Sequence, residues 1–355
     1  MLNFALACAL TLAPAGPVQQ TEQALDAAYY DLAHDRVFEA MGGLADHVRF
    51  EAARLEELPA EEAQALADDL EVALIVFDHI QSTLRNDGAR IGLVGDIQVP
   101  ERFGSLYARL AWLSDGELDR LHPLLNWQIV GPFDNERGRG MVRPTDAEKK
   151  PAEESYEGKV RSVAWRDLPS TAPRGGVIYL GVLAKPAQQA AVLARTWIEC
   201  DQDETLHLMT GAAEELRVWL GGEAIYESLG EHDFGFDAHA IPLNLKAGWN
   251  ELVFKVGSHE GSPHFQARLT EAESGAPVFR TTVAHAPEGV EPLKLDNPGR
   301  RIKEPVSALR AGAWRRFAEA EGAEASFRMG LILNDAQPVP RSERAGSAQA
   351  EAAHA

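Results

Sequence analysis

The stretch that most limits what this chain can fold into runs from Leu216 to Val256. Leu216, Val218 and Leu220 alternate with Arg217 and Trp219, Gly221-Gly222 interrupts, and a second extended run follows through Tyr226. Two glycines between such runs predict a tight hairpin, because the primed turns that match strand twist need positive φ. After Lys246-Ala247-Gly248, Leu252, Phe254 and Val256 alternate with Val253 and Lys255. A period of two is a sheet pattern with one buried face.

The surrounding texture agrees. From Asn126 to about residue 285 short apolar runs alternate with Gly, Pro, Asn and Asp, which predicts an all-β sandwich of antiparallel strands over 126–285. Expected strands are 127–130, 160–165, 177–183, 192–200, 205–210, 265–269 and 277–283, with a long polar loop over 131–156. Residues 20–122 read as a helical bundle, rich in Ala, Glu, Leu and Asp. One helix is expected from Thr21 to Leu58, ended by Pro59 or split at Gly42-Gly43. A second runs to Leu84 with Leu66, Leu70, Ala73, Leu74, Phe77 and Ile80 at amphipathic spacing, and a third runs from Pro100 to Leu121. Residues 286–307 carry four prolines and read as a linker, 308–335 as a C-terminal helical segment, and 336–355 as a disordered tail. The expected class is therefore an α+β multidomain chain.

Residues 1–16 read as a signal peptide: Phe4 to Leu12 is apolar and Ala13-Pro14-Ala15 supplies small residues for cleavage. That predicts a periplasmic or secreted protein. No other stretch approaches the roughly 20 apolar residues of a membrane span. A net charge of −20 repels nucleic acid, which needs Lys and Arg to displace counterions. Of two cysteines, Cys8 lies in the leader and Cys200 stands alone, so no disulfide framework exists.

Several phrases together resemble large exported bacterial proteins of planctomycete-like flavour. They are Trp127 to Gly140 (WQIVGPFDNERGRG), Tyr156 to Val160 with Trp165, Leu216 to Gly222, and Gly248-Trp249-Asn250. In that family a helical region precedes a galactose-binding-like or jelly-roll sandwich. Tetratricopeptide-type helices follow, often with a transglutaminase-like domain. The resemblance covers roughly residues 126–335 and implies this fold order. It carries no catalytic residue onto this chain, which has no papain-type thiol domain.

Five clusters carry residue types that suit a site. Asp134, Asn135 and Arg137 lie in a polar loop that suits a hydroxylated ligand or a loop closed by Asx turns. Arg217 and Trp219 share the outward face of the hairpin, where Trp219 either stacks on a sugar ring or is covered by the helical bundle. Asp201, Asp203 and Glu204 form an acidic turn that suits structural calcium or simple solvation, and no other cofactor is implied. His259 and His264 stand five apart with Gly and Pro between, which fails the zinc-protease spacing. Cys200 sits among Glu199, Asp201 and Asp203, which raise a thiol's pKa, so it reads as an apolar filler. No catalytic constellation emerges. The expected function is a non-catalytic exported binding or scaffolding module for polysaccharide or envelope proteins. The alternatives are the N-terminal part of a larger transglutaminase-like or peptidase-like enzyme, or a hydrolase with its site in the sandwich loops.

Overall fold

A computed structural model describes residues 17–34, 36–85, 97, 99–113, 118–229, 234–272 and 274–297. The expected signal peptide, C-terminal helical segment and disordered tail lie outside the described residues.

The N-terminal region is helical as its pattern requires. It contains α1 (Pro17–Ala33), α2 (Val37–Ala52), α3 (Ala60–Arg85) and α4 (Gly104–Leu113), followed by a 3₁₀ turn at Leu118–Leu121. The stripe Leu66, Leu70, Ala73, Leu74, Phe77 and Ile80 is buried in one core with Leu25, Met41, Leu44 and Val48. Gly42-Gly43 does not split the first helical segment. The segment divides between Ala33, the end of α1, and Val37, the start of α2; the N–H groups of His34 and Arg36 both bond the Asp31 carbonyl, and the two glycines sit inside α2. A helical glycine costs only about 1 kcal/mol, and burial of Met41, Leu44 and Val48 outweighs it. Of the third expected helix, Gly104–Leu113 is described as α4 and Leu118–Leu121 as a 3₁₀ turn.

The central region is an antiparallel sandwich. In chain order its strands are β1 (Gln128–Asp134), β2 (Tyr156–Glu157), β3 (Ser162–Val163), β4 (Arg166–Asp167), β5 (Pro173–Arg174), β6 (Val177–Tyr179) and β7 (Ala190–Cys200). They continue with β8 (Glu204–Ala212), β9 (Glu215–Leu220), β10 (Glu223–Ser228), β11 (His239–Leu245), β12 (Gly248–Ser258), β13 (His264–Glu271), β14 (Pro277–Val278) and β15 (Thr282–Val283). A seven-stranded sheet runs β10-β9-β12-β7-β1-β4 with β15 on β7, and a six-stranded sheet runs β11-β8-β13-β6-β5 with β14 on β13. The pair β2-β3 stands apart.

The hairpin forms where the sequence places it. Gly221 and Gly222 take φ of 58° and 83°, and Glu223 pairs with Leu220 across the turn. Leu216, Val218, Leu252, Phe254 and Val256 from the seven-stranded sheet meet Leu208, Ile241, Leu243, Phe265, Ala267 and Leu269 from the other, with Trp127 between. Strand β11 was not expected, although Ile241, Leu243 and Leu245 alternate inward. Its Pro242 is tolerated because β11 is an edge strand. The runs at 160–165 and 177–183 yield only the two- and three-residue strands β3 and β6, and 277–283 splits between both sheets.

Both outer faces are covered. Over the six-stranded sheet lie α4 and residues 234–238. Trp112 stacks on Phe236 at 4.7 Å, and the backbone at Gly104 approaches Gly275 so closely that a Cβ would sit 2.1 Å from its carbonyl. Over the seven-stranded sheet lie residues 139–165 and 293–297. Leu295 packs with Phe133, Tyr156, Leu193, Trp219 and Val253. Residues 293–297, expected to be linker, are thus docked on the sandwich.

Candidate binding site

Strand register brings five segments to one end of the sandwich. Asp134 and Ser258 both face Ala190, Gly257 faces Glu215, Ala212 faces Phe265, Tyr179 faces His264, and His239 faces Thr210. The end therefore gathers residues 135–140, 180–189, 213–214, 234–238 and 259–263.

These segments are tied by polar contacts. Asn135 is fully buried; its amide donates to Glu215 Oε2 at 2.8 Å, and its side-chain oxygen accepts from the Met141 N–H at 3.0 Å. Glu215 Oε2 also meets His259 Nε2 at 3.2 Å. Burial raises the Glu215 carboxyl above the usual range, opposed by Asn135 and His259. Glu214 adopts φ of 69°, and its carboxylate accepts the N–H of His259 and, at 2.8 Å, that of Gly261. Gln189 accepts from the Arg137 N–H at 3.0 Å, and Lys159 bridges Asp134 Oδ1 and the Gln189 carbonyl at 2.8 and 2.6 Å. The result is a rim of loops held in fixed relation.

Beside that rim runs a line of rings. Tyr179 stacks on His264 with centroids 5.3 Å apart, His264 meets Phe234 at 5.0 Å, and Phe234 meets Trp112 at 5.9 Å. All four residues are half-buried. His264 Nδ1 lies 2.7 Å from the Ser262 carbonyl; a carbonyl only accepts, so Nδ1 carries the hydrogen. Burial lowers the His264 pKa, so at neutral pH the ring is uncharged and Nε2 holds a lone pair. Sequence reasoning missed this line because its members come from α4, β6, β13 and the segment before β11, with no common spacing.

Three of the expected site residues do gather at this end. Asp134 and Arg137 are exposed on the rim, while Asn135 is a buried tie that no ligand can reach. The other expected pair does not face outward. Arg217 and Trp219 are buried, Trp219 at 0% exposure, and neither faces solvent. Among the described residues, Trp219 packs against Leu295 rather than the helical bundle. Trp219 Nε1 donates to the Asp296 carbonyl at 2.8 Å, and Arg217 pairs with Glu227 at 2.7 Å. The acidic turn has other engagements. Lys246 Nζ and the Ala247 N–H bind Asp203 at 2.8 and 2.9 Å, holding its carboxyl below the usual range. Arg280 grips both oxygens of Glu204 at 2.7 and 2.5 Å, and Asp201 is exposed. Among the described residues no group of three or more His, Cys, Asp or Glu is placed to hold a metal ion. Cys200 is buried, and burial, then Glu204, push its thiol up to about 11.

No family model matches the chain, and no curated protein matches it. Among solved structures it is similar to the PA14 sugar-binding domain of an RTX adhesin, at 17% identity and a TM-score of 0.24, over 27% of this chain and 55% of that one. It is similar to an anti-sigma factor domain-containing protein from Clostridium clariflavum, at 14% identity and a TM-score of 0.28, over 48% of each chain. It is also similar to a β-glucosidase from Kluyveromyces marxianus in complex with glucose, at 15% identity and a TM-score of 0.27, over 42% of this chain and 16% of that one. The chain spans 55% or less of each of these chains, and likenesses this partial carry no argument about function.

Proposed function

We propose that this chain is a non-catalytic binding module of an exported protein, and that it holds polysaccharide at the loop end of its sandwich. One observation carries the reading: five loops converge there, the Asn135–Glu215–His259 contacts tie residues 135–141 and the 259–263 loop to β9, and polar side chains lie beside half-buried rings. A fixed rim lowers the ordering cost of binding. The apolar leader and the resemblance to exported proteins support a place outside the cytoplasm.

The His259–Glu215 pair is what a hydrolase reading would use, since a carboxylate can orient an imidazole. Among the described residues, however, no hydroxyl or thiol is hydrogen-bonded to the His259 ring, whose polar contact is Glu215. The test is affinity electrophoresis of the full chain through a panel of soluble plant and bacterial polysaccharides, with chromogenic glycosides and esters assayed in parallel. Retardation by at least one polysaccharide without turnover is expected. Free migration through all of them, or turnover that disappears in His259→Ala, would end this reading.

A further inference from the structure

We infer that the outward face of α2 is a self-association surface, on which a second copy of this chain lays its own α2 antiparallel to the first. The inference is independent of the binding-module reading, because this face belongs to the helical bundle.

The outer face of a surface helix is ordinarily polar, because it meets water rather than the core. The inward side of α2 obeys the pattern and buries Met41, Leu44 and Val48. Its outer side does not: Phe38 is 62% and Phe50 72% exposed. Phe38, Gly42, Asp46, Arg49 and Ala53 recur at spacings of three and four, so they form one stripe, and all are exposed. A Cβ at Gly42 or Gly43 would meet nothing within 4 Å, so the backbone is bare at mid-helix and a second helix can approach closely. Beside Phe50 the surface is hollowed into a groove of about 570 Å³, lined by Asp46, Arg49, Phe50, Ala53, Arg54 and Glu57. The face thus carries an aromatic knob, Phe38, at one end and a groove at the other. Phe38 and Phe50 are about 18 Å apart along the axis at 1.5 Å per residue.

Such a face is complementary to itself. With two copies of α2 antiparallel about a two-fold axis at residue 44, Phe38 enters the second copy's groove at Phe50. Glu39 meets its Arg49, and Gly42 meets its Asp46. In a two-fold contact each of these pairs occurs twice. Charge selects this direction, since a parallel arrangement would set Glu39 against Glu39 and Arg49 against Arg49. Arg49 already bonds Asp46 at 2.7 Å, and a guanidinium with five N–H donors can take the second copy's Glu39 as well. One crossing helix pair buries less than the roughly 1,200–2,000 Å² of a standard interface, so Kd should lie at roughly 10–100 µM.

The experiment is analytical ultracentrifugation of the full chain across a dilution series spanning that range, with urea melts to confirm that each variant is folded. The wild type should pass from monomer to dimer. Phe38→Ser removes the knob and should weaken Kd at least roughly tenfold. Gly42→Gln puts a good helix former on the bare backbone, so the monomer stays folded while the two helices are held apart and the dimer is lost. Glu39→Arg and Arg49→Glu each set like charges opposite one another, and each should sediment as a monomer alone. Mixed in equal amounts they set opposite charges at both ends and should form the dimer again. Phe279→Ser, at a 66% exposed aromatic on the sandwich, should change nothing. A wild type that stays monomeric at every concentration overturns the inference and leaves the face to a partner of another kind. A dimer that persists equally in Phe38→Ser and Gly42→Gln overturns it too, because the interface then lies elsewhere.

Discussion

On the six-stranded sheet the cover combines α4 with the short segment 234–238, and what lies beneath is sparing in charge: Arg268 and Gln266 clamp Asp237, and Trp112 stacks on Phe236. On the seven-stranded sheet the cover is irregular chain, and beneath it lie Arg195, Arg217, Glu227, Glu251 and Lys255, all buried. The difference follows from backbone hydrogen bonding. A helix satisfies its own N–H and C=O groups, whereas irregular chain brings unpaired ones that must find partners when buried. The seven-stranded sheet supplies many of them. Glu251 accepts the Leu293 N–H at 2.8 Å, Lys255 donates to the Arg143 carbonyl at 3.1 Å, Arg195 to the Pro151 carbonyl at 3.3 Å, and Trp219 to that of Asp296. Charges that look like a solvated face are the attachment points of a loop cover.

The sharpest way to break that comparison is at Lys255. Its side chain is 0% exposed and pairs with buried Glu148 at 2.9 Å, and burial lowers its pKa. Lys255→Met strands the Glu148 carboxylate and should cost about 3–5 kcal/mol. Adding Glu148→Gln removes the stranded charge while keeping an acceptor for the Thr145 N–H, and should recover most of the loss. Urea melts measure both. Hydrogen exchange in Lys255→Met should rise first in residues 139–150 and leave α4 unchanged. Equal loosening on both faces would show that the two covers are not separately held.

How legible this was depends on which physical signal a residue carried. Alternation in β9 and β12 and the Gly221-Gly222 turn are local, and the sandwich was readable from them. The outward members of the same strands were not. Arg217, Trp219, Lys255 and Glu251 follow the polar-out rule that holds when one face meets water. Nothing near them in sequence says that residues 293–297 return to bury them, because a Pro-rich stretch with one anchoring leucine, Leu295, reads as linker. The same holds for the candidate site. Asp134 and Arg137 were visible as a dense polar loop, whereas the ring line at Tyr179, Phe234, His264 and Trp112 exists only through register and helix docking.

A smaller perturbation tests the helix-covered face. Gly104→Ala places a methyl 2.1 Å from backbone atoms of Gly275, which cannot swing aside as a side chain would. We expect a loss of about 1–3 kcal/mol, read in urea melts, and a red shift in emission as Trp112 leaves Phe236. An unchanged melt would mean that α4 is not pressed on the sheet as described.

The smallest effect is expected from a buried charge under the loop cover, and its sign is opposite. Burial raises the Glu251 carboxyl above its ordinary value, against the Leu293 N–H and Arg195, which lower it. A raised carboxyl makes ionisation costlier in the fold than in the unfolded chain. The cost is absent below the ordinary carboxylate value, where both states are protonated, and is fully present once pH passes the folded value. Glu251→Gln never ionises, and its side-chain oxygen still accepts from Leu293. The variant should therefore melt a few degrees above the wild type at about pH 8, with the gap closing towards about pH 4. Thermal melts across that range decide it. A variant less stable at high pH would mean that Arg195 draws more from the ionised carboxylate than desolvation takes away, and that the charges under the loop cover hold the fold as ion pairs rather than only as hydrogen-bond partners for the chain above.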